Sequence, residues 1–202
     1  MIRVITPPAA YPVTKAEARQ WCRMDTNDTS QDAILDMLIQ AMTQQAEHLT
    51  GRAFVERTLE WSGDYFPYEI ELPYPPLIEV VSVTYTDGAG DAQTVAAAGY
   101  EVNLYSEAGI LRPVSSAYWP AVGRYYNPAR VRYRAGYAYP GSPVDLTDNS
   151  YLPPQLRTWI AARICTLYDQ RDQLVVGATV APIPRDHADG LLDSLVVGSR
   201  LF

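Results

Sequence analysis

Apolar residues recur at helical spacing near the start of the chain. Thr14-Lys15-Ala16-Glu17 has the form of a capping box, in which a hydroxyl and a carboxylate satisfy reciprocal backbone amides. The helix that it opens carries Ala18, Trp21 and Cys22 on one face and is predicted to end in the polar turn at 25–28. A second helix is predicted from Thr29, with Gly51 as its left-handed cap. Its apolar positions are Ile34, Leu38, Ala41/Met42 and Leu49.

The same period returns near the other end. Pro153-Pro154 is typical of a helix start, since proline suits the first turn. An apolar stripe follows at Leu156, Trp159/Ile160, Arg163/Ile164 and Leu167/Tyr168. A shorter final helix is predicted from about Pro184 to Leu195. Together the two ends predict a small helical bundle.

Between Phe54 and Ala138 the apolar positions alternate instead. Val81, Val83 and Tyr85 are predicted to face one side of a strand, which runs into a hairpin turn at 86–91. The clearest alternation is at 130–135, Arg-Val-Arg-Tyr-Arg-Ala. Frequent prolines cut this region into short pieces, which favours a small antiparallel sheet or barrel-like insert.

These patterns predict an α+β fold in which terminal helices carry a β-rich insert. The predicted divisions are 1–53 for the N-terminal helices, 54–149 for the insert, and 150–202 for the C-terminal helices and a terminal arm. The first and last divisions are expected to pack together.

Composition excludes several classes of protein. Hydrophobic residues make up 48% of the 202 residues and charged residues 19%, so the chain can form a core. The net charge of −7 argues against a protein that coats nucleic acid non-specifically. No uncharged run approaches the ~20 residues of a membrane span, and no apolar signal core is seen at the start. We expect a soluble chain that is intracellular in its cysteine usage, with no membrane partner.

The polar composition favours an assembly subunit. The chain holds 15 Tyr, and Lys15 is the only lysine among 16 basic residues. Tyrosine and arginine are enriched in protein interfaces whereas lysine is depleted there. A preference for arginine codons would account equally well for the arginine bias, but not for the tyrosines.

Charge divides the insert into two halves. Residues 54–107 hold ten acids and one base, and residues 108–144 hold five bases and no acid. Facing strands could neutralise each other within one sheet. Alternatively, acidic and basic faces could meet between neighbouring copies, head to tail, as in rings. The sequence leaves both accounts open.

Candidate catalytic residues are sparse. His48 and His187 belong to no metal-binding motif, and 186–189 (Asp-His-Ala-Asp) is better explained as a solvated helix face. Cys22 and Cys165 lie on apolar helical patterns and are predicted to be buried, unpaired side chains rather than nucleophiles. No nucleophile elbow, phosphate-binding loop or dinucleotide fingerprint is present. The sequence therefore predicts no enzyme, metal or cofactor, and an unrecognised hydrolase is the weakest hypothesis.

One basic strand could bind nucleic acid. Arg130, Arg132 and Arg134 alternate on one strand face, about 6.6 Å apart, with tyrosines nearby. That arrangement suits a groove that tracks phosphates and stacks bases. The net charge of −7 and the acidic flank favour a solvated or interface-paired face instead.

An ordered series of motifs resembles the head–tail connector (adaptor) proteins of tailed bacteriophages. It begins with Thr6-Pro7-Pro8 and Tyr11 to Ala18, leading to Trp21-Cys22-Arg23. It continues with Asp32–Leu35, Ala46–Ala53, Leu72–Leu77 and Val80–Tyr85. Trp119-Pro120, Val131–Tyr137 and Leu167–Asp172 complete it, so that the resemblance runs from residue 6 to about residue 172.

The resemblance implies a helical bundle with a β-containing insert, and a structural role in the virion neck. Adaptor subunits form a ring, usually of twelve copies, between the portal and the stopper or tail proteins, and DNA passes transiently through the channel. Assembly takes place in the host cytoplasm. Adaptors can engage the portal with C-terminal segments, and this chain ends in an apolar segment. The predicted interface residues are Arg124, Arg130, Arg132, Arg134, Tyr168, Arg171, Val196, Val197, Leu201 and Phe202.

Overall fold

A computed structural model describes residues 1–25, 27–115, 117–138, 148–169 and 189–198. The chain forms two compact units, each assembled from separated segments. Residues 1–9 and 52–138 form a β unit, and residues 10–51 with the described residues from 148 onward form a helical unit. The first nine residues therefore belong with the strands, whereas their expected place was with the N-terminal helices.

The helical unit contains α1 (Lys15–Trp21), α2 (Asp32–Thr50) and α3 (Pro154–Asp169). The predicted capping box is confirmed: Thr14 N donates to Glu17 Oε2 at 2.8 Å, and Glu17 N donates to Thr14 Oγ1 at 3.3 Å. Gly51 ends α2 in the left-handed conformation, with φ 73°. Glycine has no Cβ and adopts this conformation without a clash, so the helix ends there.

The buried side of α2 is rotated from the predicted one. Leu35, Ile39, Met42 and Ala46 are buried, whereas the predicted Leu49 is 47% exposed. Both series have helical spacing, so periodicity alone could not select the face that meets α1 and α3. The predicted stripe of α3 is confirmed at Leu156, Trp159, Ile160 and Ile164, all buried.

Residues 189–198 pack against the helical unit through short turns. The described part of the predicted final helix consists of two 3₁₀ turns, Asp189–Leu191 and Asp193–Leu195, and the predicted positions 184–188 lie outside the described residues. Leu192, Leu195 and Val197 are buried, and Val197 N donates to Thr50 O at 2.9 Å. This segment is therefore part of the unit's core.

The prediction of two unpaired cysteines is wrong. Cys22 and Cys165 form a disulfide that joins the end of α1 to α3, with Cα atoms 5.1 Å apart. Their positions are 143 residues apart in sequence, so only the packing of α1 against α3 brings them together. Both side chains are half-buried.

The β unit contains two antiparallel sheets. The large sheet has the order β1-β2-β8-β4-β5, and the small sheet has the order β3-β7-β6. Their strands are β1 (Ile2–Thr6), β2 (Arg57–Gly63), β3 (Ile70–Leu72), β4 (Leu77–Thr86), β5 (Ala92–Val95), β6 (Tyr100–Asn103), β7 (Gly109–Pro113) and β8 (Ala129–Ala135). The predicted hairpin at 86–91 is confirmed between β4 and β5.

Strand β8 lies at the centre of the large sheet. Val131 and Tyr133 are fully buried, and the three arginines that alternate with them face the other side. The register of β4 shifts between Leu77 and Glu79 and again between Val80 and Ser82. These irregularities place Val80 opposite Tyr133 and leave Val81 50% exposed. The prediction that Val81 shares the face of Val83 is therefore wrong, because an extra residue in one strand reverses the alternation.

Both sheets contribute their inner faces to one core. The large sheet supplies Leu59, Val83, Val131 and Tyr133, and the small sheet supplies Ile70, Leu72 and Leu111. Consequently the outer faces of the two sheets point away from each other. The predicted α+β fold class is confirmed.

Candidate assembly surfaces

The outer face of the large sheet consists of polar cross-strand rows. Partners in an antiparallel ladder face the same side, so Arg132 of β8 lies between Glu60 of β2 and Ser82 of β4. Arg3 of β1 lies beyond Glu60 in the same row. Arg130 begins the next row, beside Ser62 and Thr84.

Two of the three predicted interface arginines on β8 form ion pairs within the chain. Arg132 Nη2 lies 2.9 Å from Glu60 Oε2. Arg134 Nε donates to Glu56 Oε1 at 2.8 Å, and the same guanidinium contacts Glu79. Hydrogen bonds from Arg134 to Glu79 and Glu56 raise the pKa of that guanidinium. Arginines from the basic half of the insert thus pair with glutamates from its acidic half.

Arg130 is placed differently from Arg132 and Arg134. Its Nε donates to the carbonyl of Asn127 at 3.3 Å. Within the described part of the chain, Arg130, Arg124 and Arg3 have no carboxylate partner, and all three are exposed. The outer face of the large sheet and its edge therefore carry unneutralised positive charge.

The outer face of the small sheet carries the opposite charge. Arg112 Nη2 lies 3.2 Å from Glu101 Oε2 across β7 and β6. Glu69 and Glu71 are exposed and have no cationic partner among the described residues. A shallow cavity of about 200 Å³ lies on this face, lined by Glu69, Glu101, Val102, Asn103, Ile110 and Arg112.

Exposed tyrosines gather where three loops of the β unit meet. We call this region the tyrosine end: Tyr65, Tyr68, Tyr118, Tyr125 and Tyr126. Their exposed fractions run from 50% for Tyr125 to 95% for Tyr126. Large exposed aromatic side chains on one surface are typical of a protein interaction site.

Ring stacking and hydrogen bonds join the loops of the tyrosine end to one another and to the strands. The ring of Trp119 stacks on Phe66 with centroids 4.9 Å apart, and its Nε1 donates to Tyr68 O at 3.2 Å. Gly123 N donates to Thr86 O at 2.8 Å, and Asn127 N donates to Asp64 Oδ1 at 3.2 Å. Because these contacts hold the backbone, a partner would meet a surface that is already ordered.

A partly buried charge network surrounds Glu17 in the helical unit. Asn149 Nδ2 donates to Pro12 O at 2.8 Å and to Glu17 Oε2 at 2.7 Å, and Arg157 forms an ion pair with Glu17. Burial alone would raise the pKa of Glu17. The hydrogen bonds from Thr14, Asn149 and Arg157 outweigh burial and lower that pKa. The network joins α1, α3 and the segment before α3.

The remaining predicted interface residues lie near the C-terminus. Tyr168 is half-buried in the last turn of α3, and Val196 and Val197 lie in the segment that packs on the helical unit. Arg171, Leu201 and Phe202 lie outside the described residues. Val197 is only 9% exposed, so its side chain packs within its own unit.

Candidates for catalysis and metal binding are scarce in the described ranges of the chain. No group of three or more metal-ligating side chains occurs there. Of the sequence candidates, Asp186, His187 and Ala188 lie outside the described residues, and Cys22 and Cys165 are joined as a disulfide. No helix in the described ranges is long and apolar enough to span a membrane.

Some features escaped the sequence analysis. The alternation of Ile2 to Ile5 could have indicated strand β1, although five residues give a weak signal. The opposite outer faces of the β unit could not be found without the strand order. That order separates Arg130 from the arginines two and four positions further along β8.

No protein-family model and no curated protein matches the chain. Solved structures do match it. A chain of the neck of the empty gene transfer agent (GTA) particle, computed with C6 symmetry, has a TM-score of 0.74 and 21% identity, covering 97% of this chain and 95% of that chain. A chain of the virion of the native GTA particle has a TM-score of 0.74 and 20% identity, with the same coverage of 97% and 95%. A chain of the native GTA neck, computed with C12 symmetry, has a TM-score of 0.71 and 20% identity, covering 97% and 94%. The chain therefore has the fold of chains found in the necks of gene transfer agent particles, in agreement with its resemblance to head–tail connectors.

Proposed function

We propose that the chain is a structural connector (adaptor) subunit of a virion neck, with no enzymatic role. Its copies would form a ring between the portal and the stopper or tail proteins, around a channel for the genome. The observation that carries the proposal is the fold shared over 97% of the chain with a chain of a GTA particle neck. Another matched neck was computed with C12 symmetry, which supports a ring of twelve copies.

The surfaces of the β unit suit such an assembly. Exposed arginines with no carboxylate partner among the described residues, and a set of exposed tyrosines, are residue types that interfaces favour. We propose that Arg124, Arg130 and the tyrosine end form the contacts with neighbouring copies and with neck partners. Arg132 and Arg134 remain in the proposed interface as ion-paired members of the same face.

The C-terminal region is proposed as a contact to the portal. Tyr168, Arg171, Val196, Val197, Leu201 and Phe202 are the candidate residues. Since Val197 is buried in its own unit, residues 199–202 are the part we assign to the partner. A net charge of −7 would help the genome pass, because an acidic channel repels phosphates.

A nucleic-acid-binding accessory protein is the second candidate. Arg124 and Arg130 lie near Tyr125 and Tyr126, which favours it. The ion pairs of Arg132 and Arg134 and the net charge of −7 oppose it. Salt-dependent binding of a DNA duplex or single strand by the purified protein would support this candidate.

Negative-stain imaging of the protein, alone and mixed with its portal, tests the proposal. We expect rings in at least one sample, stacked coaxially on the portal in the mixture. Monomers in both samples would overturn the ring, and DNA binding would then be measured next.

A further inference from the structure

The β unit carries unpaired charges of opposite sign on its two outer faces. On the large sheet, Arg3 and Arg130 have no carboxylate partner among the described residues. On the small sheet, Glu69 and Glu71 have no cationic partner there. Because the inner faces of both sheets share one core, these charges lie on opposite sides of the unit.

The other charged side chains described on the two faces form ion pairs within the chain. Arg132 pairs with Glu60, Arg134 pairs with Glu56 and Glu79, and Arg112 pairs with Glu101. Because Arg134 has two carboxylate partners, one of them offsets part of the surplus on the large-sheet face, which stays net positive, whereas the small-sheet face is net negative. Charges that have no ion-pair partner in the described part of the chain act on whatever approaches the face.

We propose that the outer face of the small sheet in one copy docks against the outer face of the large sheet in the next copy. This inference rests on the proposed ring and names the surfaces that close it. The contact is heterologous, because each copy uses one face towards each neighbour, and repeated heterologous contacts generate rings. A second copy is the fitting occupant because it offers both complementary charges on matching sheet faces.

The small-sheet face also has a cavity in which a side chain from a neighbouring copy can bind. This cavity of about 200 Å³ is bordered by Glu69, Glu101 and Arg112, and Ile110, which faces the same side as Glu71, gives it an apolar part. An arginine suits such a site, because its aliphatic stem can cover apolar surface while the guanidinium meets a carboxylate. We assign Arg130 of the neighbouring copy to this cavity and Arg3 to the Glu71 side.

Charge exchange between two variants tests the docking. The first variant is Arg3→Glu with Arg130→Glu, and the second is Glu69→Arg with Glu71→Arg. Each variant alone would place like charges at every contact. An equimolar mixture would restore opposite charges at every contact, in alternating order. We expect each variant alone to need at least about tenfold more protein for half-assembly than wild type, and the mixture to assemble as wild type does.

Controls separate this docking from general charge effects and from misfolding. Arg23→Glu and Asp169→Arg change charge on the helical unit and should leave assembly unchanged. Circular dichroism and the Tm of each variant establish folding, and Arg130→Gln with Glu71→Gln provides a milder pair that should weaken assembly. Mass photometry, with the portal present if wild type requires it, gives the ring population.

Two results would overturn the docking while leaving the ring intact. In one, wild type forms rings and both reversed variants form them equally well. In the other, the folded variants fail alone and also fail as a mixture. A wild-type protein that forms no ring, with or without portal, would instead overturn the proposed function and the docking with it.

Discussion

The hydroxyl of Tyr133 donates a hydrogen bond to the carbonyl of Pro73, with 2.8 Å between the oxygens. Tyr133 lies at the centre of the large sheet and is fully buried, and burial raises the pKa of its hydroxyl. The bond therefore links the central strand to the loop that leads from the small sheet back to the large one. It gives the only polar atom of this side chain a partner inside the core.

Replacing Tyr133 by Phe should lower the free energy of unfolding by about 1 kcal/mol, because the Pro73 carbonyl loses its donor while the ring still fills the core. Urea denaturation measures the difference. Tyr126→Phe is the matched control, since Tyr126 is 95% exposed and should unfold as wild type does. Equal midpoints for the two variants would show that the buried bond contributes nothing to stability.

The disulfide should stabilise the helical unit. Cys22→Ser should lower the free energy of unfolding by about 2–5 kcal/mol under non-reducing conditions, because the cross-link between distant positions restricts the unfolded chain. Cys165→Ser should give the same loss, and dithiothreitol should bring wild type to the level of both variants. A wild-type Tm that is insensitive to dithiothreitol would contradict the disulfide's contribution.

The lowered pKa of Glu17 predicts that the free energy of unfolding depends on pH. Its carboxylate is held by Thr14, Asn149 and Arg157, and its pKa in the folded protein lies below the ordinary 4.5. A lowered pKa stabilises the fold above the unfolded pKa, and this contribution is lost as pH falls through the folded pKa. Wild type should therefore exceed Glu17→Gln in urea midpoint at pH 7, and the gap should narrow below pH 4.5. A gap that is constant with pH would show that ionisation of Glu17 does not matter.

Sequence patterns predicted the helices and strands better than they predicted which faces of these elements pack against which neighbours. The Thr14 capping box, the Gly51 cap and the alternation of β8 are local, so each could be read from a few neighbouring residues. The buried face of α2 depends on where α1 and α3 lie. The inward side of β4 depends on two irregularities, near Ile78 and Val81, that leave no mark in the composition.

The charge pairs of the candidate surfaces also depend on tertiary structure that the sequence alone does not reveal. The division into acidic and basic halves was visible in the sequence, but which charges cancel depends on strand order. Arg132 and Arg134 have glutamates on the adjacent strands, whereas Arg130 is flanked by Ser62 and Thr84. Likewise Cys22 and Cys165 become partners only through tertiary packing. Sequence alone could suggest an interface strand but could not select the one arginine of β8 that has no carboxylate partner among the described residues.

Arg134 and Arg130 should respond differently to charge reversal. Arg134→Glu would place a third carboxylate beside Glu56 and Glu79, and we expect a Tm lower by about 2–4 °C. Arg130→Glu removes no ion pair among the residues that the structure describes and should leave the Tm unchanged while weakening assembly. Differential scanning calorimetry and mass photometry on the same samples separate the two effects. Equal Tm losses would mean that Arg130 also acts inside the subunit.

Two truncations should separate folding from partner binding at the C-terminus. Removing 199–202 leaves Val197 and its hydrogen bond to Thr50 in place, so the Tm should stay at the wild-type value. Removing 196–202 also deletes the Val197 side chain, which is 9% exposed in the helical unit, and should lower the Tm. If the end of the chain binds the portal, the shorter truncation should already abolish capture of the protein by immobilised portal. Full capture after removal of 199–202 would exclude these residues from the contact, and an unchanged Tm after removal of 196–202 would show that Val197 adds nothing to the core.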